Sequence, residues 1–202
     1  MIKTNKNRRM STETLVLAAL MTALVVVFQC LATYTTFFGP FSTAIALIPI
    51  VIGAAMCGPL VGAWLGFIFA LVVIFTGGAS LFFAFSIHGT IITVIAKGVA
   101  CGAVAGVVYK LLKKFNKTVA AIASALVCPI VNTGIFLLGS AIFFLPFADK
   151  IADLLQMSED GFGVFVALAL GNFVFEIGMN AVLSPVIVRV IDMRRKNKKY
   201  KY

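Results

Sequence analysis

Residues Thr14–Ala96 read TLVLAALMTALVVVFQCLATYTTFFGPFSTAIALIPIVIGAAMCGPLVGAWLGFIFALVVIFTGGASLFFAFSIHGTIITVIA, 83 consecutive residues without Asp, Glu, Lys or Arg. A helix that crosses a membrane takes about 20 apolar residues at ~1.5 Å rise each. The stretch therefore holds about three spans and the start of a fourth. Breakers divide it at Gly39-Pro40, at Cys57-Gly58-Pro59 and at Thr76-Gly77-Gly78-Ala79-Ser80. The apolar runs are continuous, whereas a lipid-facing barrel strand alternates, so helices are expected.

Outward from this stretch the pattern continues. A fourth apolar segment carries Lys97 and a sixth carries Glu176. The chain is expected to be one all-α membrane domain over 1–202, a bundle of six spans at about 12–34, 41–57, 60–76, 84–110, 118–146 and 161–191. Composition agrees: 61% of residues are apolar and 12% charged, against about half and about a quarter in soluble domains. Such a surface does not suit a water-soluble globule, and the hydrophobicity excludes disorder.

The net charge of +10 gains its meaning from position. Lys3, Lys6, Arg8 and Arg9 precede the first span. Lys110, Lys113, Lys114 and Lys117 separate the fourth from the fifth. Arg189, Arg194, Arg195, Lys196, Lys198, Lys199 and Lys201 end or follow the sixth. These are fifteen of the seventeen basic residues. The segment between spans five and six, with Asp149, Lys150, Asp153, Glu159 and Asp160, is net acidic. Cytoplasmic loops collect Lys and Arg. Six spans put all three basic clusters on one side, with both termini cytoplasmic. Five or seven spans would split them. No basic residue marks the side of the hairpin at Pro59. The expected location is a cell membrane, with the basic clusters resting on anionic lipid head groups. No nucleic-acid partner is expected, because that would want a basic patch on a folded surface. The basic start and apolar run resemble a secretory signal, but the run reaches Cys30 and suits an uncleaved first span.

Catalytic signatures are missing. There is no GxxxxGK[ST] phosphate loop, no HExxH and no GxSxG. Cys30, Cys57, Cys101 and Cys128 are scattered singly and His88 is the one histidine, so neither a metal site nor a cofactor is expected. An enzyme is the least expected class.

A charge at mid-membrane costs roughly 2.5–3.5 kcal/mol by insertion scales, so Lys97 and Glu176 need partners or a wet cavity. Lys97 lies 13 residues before Lys110 and Glu176 lies 13 before Arg189, with Asn132 15 residues beyond Lys117. At 1.5 Å per residue all three sit ~20 Å above the basic end of the bundle. Asn172, one turn above Glu176, shares its face. Two readings are open. Lys97 and Glu176 neutralise each other and lock two spans together, or Lys97, Asn132, Asn172 and Glu176 line a ligand pocket open to the outside. His88, nearer the external mouth, is the fifth candidate for the ligand set, although a lone histidine there packs more commonly than it binds. Tyr34, Phe37, Phe38, Phe41, Phe75, Phe82, Phe83, Phe85, Phe143, Phe144, Phe147, Phe162 and Phe165 crowd the same side as a belt or as part of a cap, with Gly77 and Gly78 as hinges. Small residues four apart recur at Ala19/Ala23, Gly58/Gly62/Gly66 and Gly98/Gly102/Gly106, and let helices approach closely, within the bundle or with a partner.

Five segments carry a family resemblance: Glu13 to Leu24, Ile48 to Ala54, Cys57 to Ala63, Asn132-Thr133-Gly134 and Asn172-Phe173-Val174-Phe175-Glu176. In this order and spacing the chain resembles, from about Thr12 to Ile191, the substrate-binding S component of an energy-coupling factor (ECF) vitamin transporter, most closely the pantothenate-type group. The resemblance implies a six-helix membrane protein that captures a vitamin from outside. Its partners would be a T component and two ATPases, which supply the ATP engine this chain lacks. The family's Ala-xxx-Ala face on the first helix docks on the T component, and here it matches Ala19 and Ala23. The pocket residues rest on the depth estimate instead. No Arg occurs between Arg9 and Arg189, so Lys97 is left to pair with an anion as a point donor. Glu176 then accepts a ligand proton or holds Lys97. The competing readings are a proton-coupled secondary transporter that works alone, with Glu176 as the proton carrier, and a structural membrane protein with no ligand.

Overall fold

The computed structural model describes residues 11–34, 44–156 and 161–199, with side chains apart from those of Tyr34, Ala44 and 191–199. Gly39-Pro40, Phe37, Phe38, Phe41, Glu159, Asp160 and the first basic cluster lie outside the described residues. The elements in chain order are α1 (Thr12–Tyr34), α2 (Ala44–Cys57), α3 (Pro59–Phe75), α4 (Ser80–Phe83), α5 (Ile87–Leu112), α6 (Lys117–Gly139), a π-helical turn (Ser140–Phe144), a 3-10 turn (Leu145–Phe147), α7 (Ala148–Leu155) and α8 (Phe162–Lys199). No strand occurs among the described residues. In lipid each backbone N–H and C=O needs an internal partner, which a helix supplies along its own length.

Four segments are long and apolar enough to cross a membrane: Thr12–Thr33, Ile87–Leu112, Lys117–Leu155 and Phe162–Val190. Helices α2 and α3 are apolar but shorter, with 14 and 17 residues. Local sequence sets the ends. Pro59 opens α3 at a position where its missing N–H costs nothing. Gly58 before it takes φ 102°, a conformation that favours glycine. Ser86 caps α5 by accepting from the Gly89 N–H, and Asn116 caps α6 by accepting from Thr118 and Val119.

Helix α2 sits centrally, in contact with α1, α3, α5, α6 and α8. Its Ala46, Leu47, Ile50 and Val51 are fully buried. Helix α5 packs between α3 and α6. The glycine stripes of α3 and α5 face each other. A methyl at Gly66 would strike the Gly98 carbonyl, and one at Gly62 would strike the Gly102 carbonyl. Gly106 lies against Pro59. The hairpin at Pro59 thus stands at the end of the bundle that carries Lys110, one turn on. The Ala19/Ala23 stripe is used differently. Both residues are exposed, on a face shared with Leu15, Val16, Leu20 and Val27.

At the end opposite the lysines, structure replaces what the sequence left as loops and one continuous span. The α-helix of the fifth segment stops at Gly139 and continues as the π-helical turn, which aims Phe144 inward. Short helix α7 lays Ile151 and Ala152 on Phe144, Val164 and Phe165 and turns Asp149, Lys150 and Asp153 outward. Cys101 and Cys128, read as isolated in sequence, are both buried and lie near each other at the α5–α6 contact, with the Cys101 thiol donating to the Gly98 carbonyl at 3.1 Å.

Gly66→Ala should lower the melting temperature in detergent, because two helix backbones must separate to admit the methyl, at a cost of about 1–3 kcal/mol. Gly134→Ala, where an added Cβ meets nothing within 4 Å, should melt within a degree or two of the parent on the usual scaling. Equal melting of all three proteins would contradict the close α3–α5 packing.

Candidate functional site

A cavity of about 550 Å³ opens beneath the turn Thr76–Ala79 and reaches down between α1, α5, α6 and α8. Its size falls in the range of roughly 300–1,000 Å³ typical of small-molecule sites. Helix α5 contributes Thr90, Thr93, Val94 and Lys97, which recur at helical spacing on one face. His88, two residues from Thr90, points about 200° away by the same geometry; it is exposed and does not line the cavity.

Lys97 is the one charged side chain among the described lining residues. Its ammonium lies over the Phe136 ring, 5.8 Å from the centroid. A ring face attracts a cation by ~0.5–2 kcal/mol, too little to replace full hydration, so the open cavity is what makes the position tenable. Among the described residues Lys97 closes no ion pair. Glu176 acts on the ammonium through space, with no direct ion pair between the two among the described residues.

Glu176 is engaged by amides instead. Asn132 Nδ2 donates to both carboxyl oxygens, at 3.1 and 3.3 Å, and Asn172 Nδ2 donates to Oε1 at 2.7 Å. Asn180 Nδ2 donates to the Glu176 backbone carbonyl at 2.8 Å. Glu176 is fully buried and stands behind the wall, while Asn132 and Asn172 line it. The structure thus brings Lys97, Asn132 and Asn172 to one cavity, sets Glu176 directly behind them, and leaves His88 outside.

Several lining residues were not singled out from sequence: Gln29, Thr33, Thr93, Thr133 and Phe136. Gln29 on α1 is 1% exposed. Its Nε2 donates to Thr33 Oγ1 at 3.3 Å, and Thr33 Oγ1 lies 3.1 Å from Thr76 Oγ1, which ties α1 to the turn over the cavity. Two signals could have found some of them. Gln29 is an amide inside the charge-free stretch, and Thr93 and Phe136 lie one turn from Lys97 and Asn132.

Three of these side chains hold polar atoms with no hydrogen-bond partner: Gln29 Oε1, Thr93 Oγ1 and Asn132 Oδ1. A buried polar atom left unpaired costs ~1–3 kcal/mol. Three of them around one cavity give its wall unpaired oxygens beside a single cation.

Glu176→Ala should lower the melting temperature markedly, since it strands amide donors of Asn132 and Asn172 at about 1–3 kcal/mol each. Glu176→Gln keeps an acceptor and should melt between the two. Melting of the Ala variant at the parent temperature would show that the cluster is not formed.

A family model described as ECF transporter, substrate-specific component, matches residues 13–188. No curated protein and no solved structure matches the chain.

Proposed function

This chain belongs to the family of ECF transporter substrate-specific components, and from that membership we propose that it captures a small anionic vitamin from outside the cell, pantothenate first among the candidates. Family membership makes it a membrane protein, the substrate-specific subunit of an ECF transporter, which works with a T component and ATPase subunits and is not itself an enzyme.

One observation carries the ligand reading: the cavity wall holds a single charge, the Lys97 ammonium, and no carboxylate among its described residues. Glu176, which attracts the ammonium through space, stands behind the wall and is held by amides. A monoanion entering the cavity gains a charge-assisted contact where water is scarce, worth ~1.5–3 kcal/mol. Pantothenate brings one carboxylate, one amide and two hydroxyls, which suit the ammonium, the amides of Asn132 and Asn172, and the threonines. Phe82, Phe136 and Phe144 supply apolar cover for its carbon chain.

The topology in this reading has six spans, α2 and α3 being the two short ones, with both termini cytoplasmic. Support comes from the Pro59 hairpin, which lies beside Gly106 at the Lys110 end of the bundle. The cavity mouth then faces outward. The T component docks on the exposed Ala19/Ala23 stripe of α1, whose small residues leave room for a partner helix. Two ATPases supply the energy for release inside.

Two measurements test the proposal. Purified protein should bind pantothenate, and Lys97→Met should weaken binding by about 10- to 100-fold; equal affinity for the two proteins would remove the lysine from the site. Ala19→Phe together with Ala23→Phe should leave that binding intact while abolishing copurification with the T component and uptake in cells. Normal uptake by the double variant would move the docking face elsewhere.

A further inference from the structure

Two amides in the cavity wall share one arrangement. Asn132 commits its Nδ2 to both oxygens of Glu176, and its Oδ1 has no partner. Gln29 commits its Nε2 to Thr33 Oγ1, and its Oε1 has no partner. Both residues are 1% exposed and both line the cavity. Turning either amide around disturbs a hydrogen bond. A flipped Asn132 would set its carbonyl oxygen against two carboxyl oxygens. The Gln29 orientation leaves the Thr33 hydroxyl free to donate to the Gln29 backbone carbonyl at 3.0 Å, a bond that a flipped Gln29 would compete for. An amide is ambidextrous in general, offering donor and acceptor alike. These two are fixed as acceptors, one on each side of the cavity.

From this we infer that the site selects its ligand by hydrogen-bond donors as well as by charge. The ligand carries one anionic group for Lys97 and at least two hydroxyl or amide donors, one for Asn132 Oδ1 and one for Gln29 Oε1. Glu176 and Thr33 are positioning residues: they orient the amides that face the ligand. The inference rests on the reading of the cavity as the ligand site, and it adds a direction. Asn132 and Phe136 are four apart on one face of α6, with Asn132 nearer the lysine-bearing end, and the Lys97 ammonium lies over Phe136. The donor read by Asn132 therefore sits about one turn, ~5–6 Å, deeper than the anionic group. The ligand enters hydroxyl end first, with its carboxylate toward the mouth. A site built to pair a donor rejects the analogue that lacks it, because the buried acceptor is then left unpaired.

The test compares pantothenate with its analogue in which both hydroxyls are replaced by hydrogen, by calorimetric titration of the purified full-length protein. The parent should prefer pantothenate at least tenfold. Glu176→Gln, which lets the Asn132 amide turn, should cut that preference severalfold while the Lys97→Met variant loses affinity for both compounds alike. Gln29→Met, on a separate helix, should cut it independently of whether the Glu176 variant folds. Undiminished preference in either folded variant would overturn the inference. Failure of the parent to bind either compound would overturn the choice of vitamin instead. The inference is then judged on ligand-free protein: the Asn132 side-chain amide protons should exchange slowly in the parent and fast in Glu176→Ala, and fast exchange in the parent would overturn it.

Discussion

An ammonium group inside an apolar bundle is the constraint around which this molecule is arranged. Lys97 lies on a helix whose other cavity-facing residues are Thr90, Thr93 and Val94. Lipid will not solvate such a group, and a ring face supplies only part of the need. The bundle answers by holding space open beside it. The carboxyl group of Glu176 attracts the charge from one layer back, where amides bind it. The outcome is a cavity with one cation in its wall and a carboxyl group directly behind it.

The cavity depends in turn on how the helices approach one another. Glycines on α3 and α5 let those backbones touch, which brings α3 tight against one side of the lysine-bearing helix. Helix α6 lies on its other side and presents Asn132 and Phe136 to it. Above, the π-helical turn and α7 swing an aromatic layer over the opening, with Phe144 shared between that layer and the cavity lining. A π-helical turn inside an α-helix shifts the register of the residues beyond it, and such turns occur frequently at functional sites. The wall is thus made from several helices, each held by packing remote from the cavity itself. That suits a site required to hold its polar groups still while empty.

Much of this was legible in the sequence, for physical reasons that can be named. Continuous apolar runs admit little but helices, and Gly58-Pro59 fixes a helix start by excluding other conformations. The shared level of Lys97, Asn132, Asn172 and Glu176 comes from helical rise alone, and three of the four line one cavity. Other features were not legible. Gln29 lies 20 residues beyond Arg9, ~30 Å by helical rise, so rise alone does not group it with Lys97 and Glu176. The division of labour between Glu176 and the amides in front of it depends on rotation about helix axes, which rise does not fix. His88 escapes for the same reason, being on the right helix and the wrong face. The meeting of Cys101 with Cys128 and the helices of the outer segments are set by packing between elements far apart in the chain.

The central claim is that the cavity around Lys97 is a binding site for a small organic anion rich in hydrogen-bond donors. Mass spectrometry of small molecules extracted from the purified protein tests it most directly. Protein expressed in vitamin-replete medium should release close to one equivalent of a single hydroxylated or amide-bearing carboxylate, and Lys97→Met protein should release far less. A parent protein that releases only lipid, or a cation, would contradict the account.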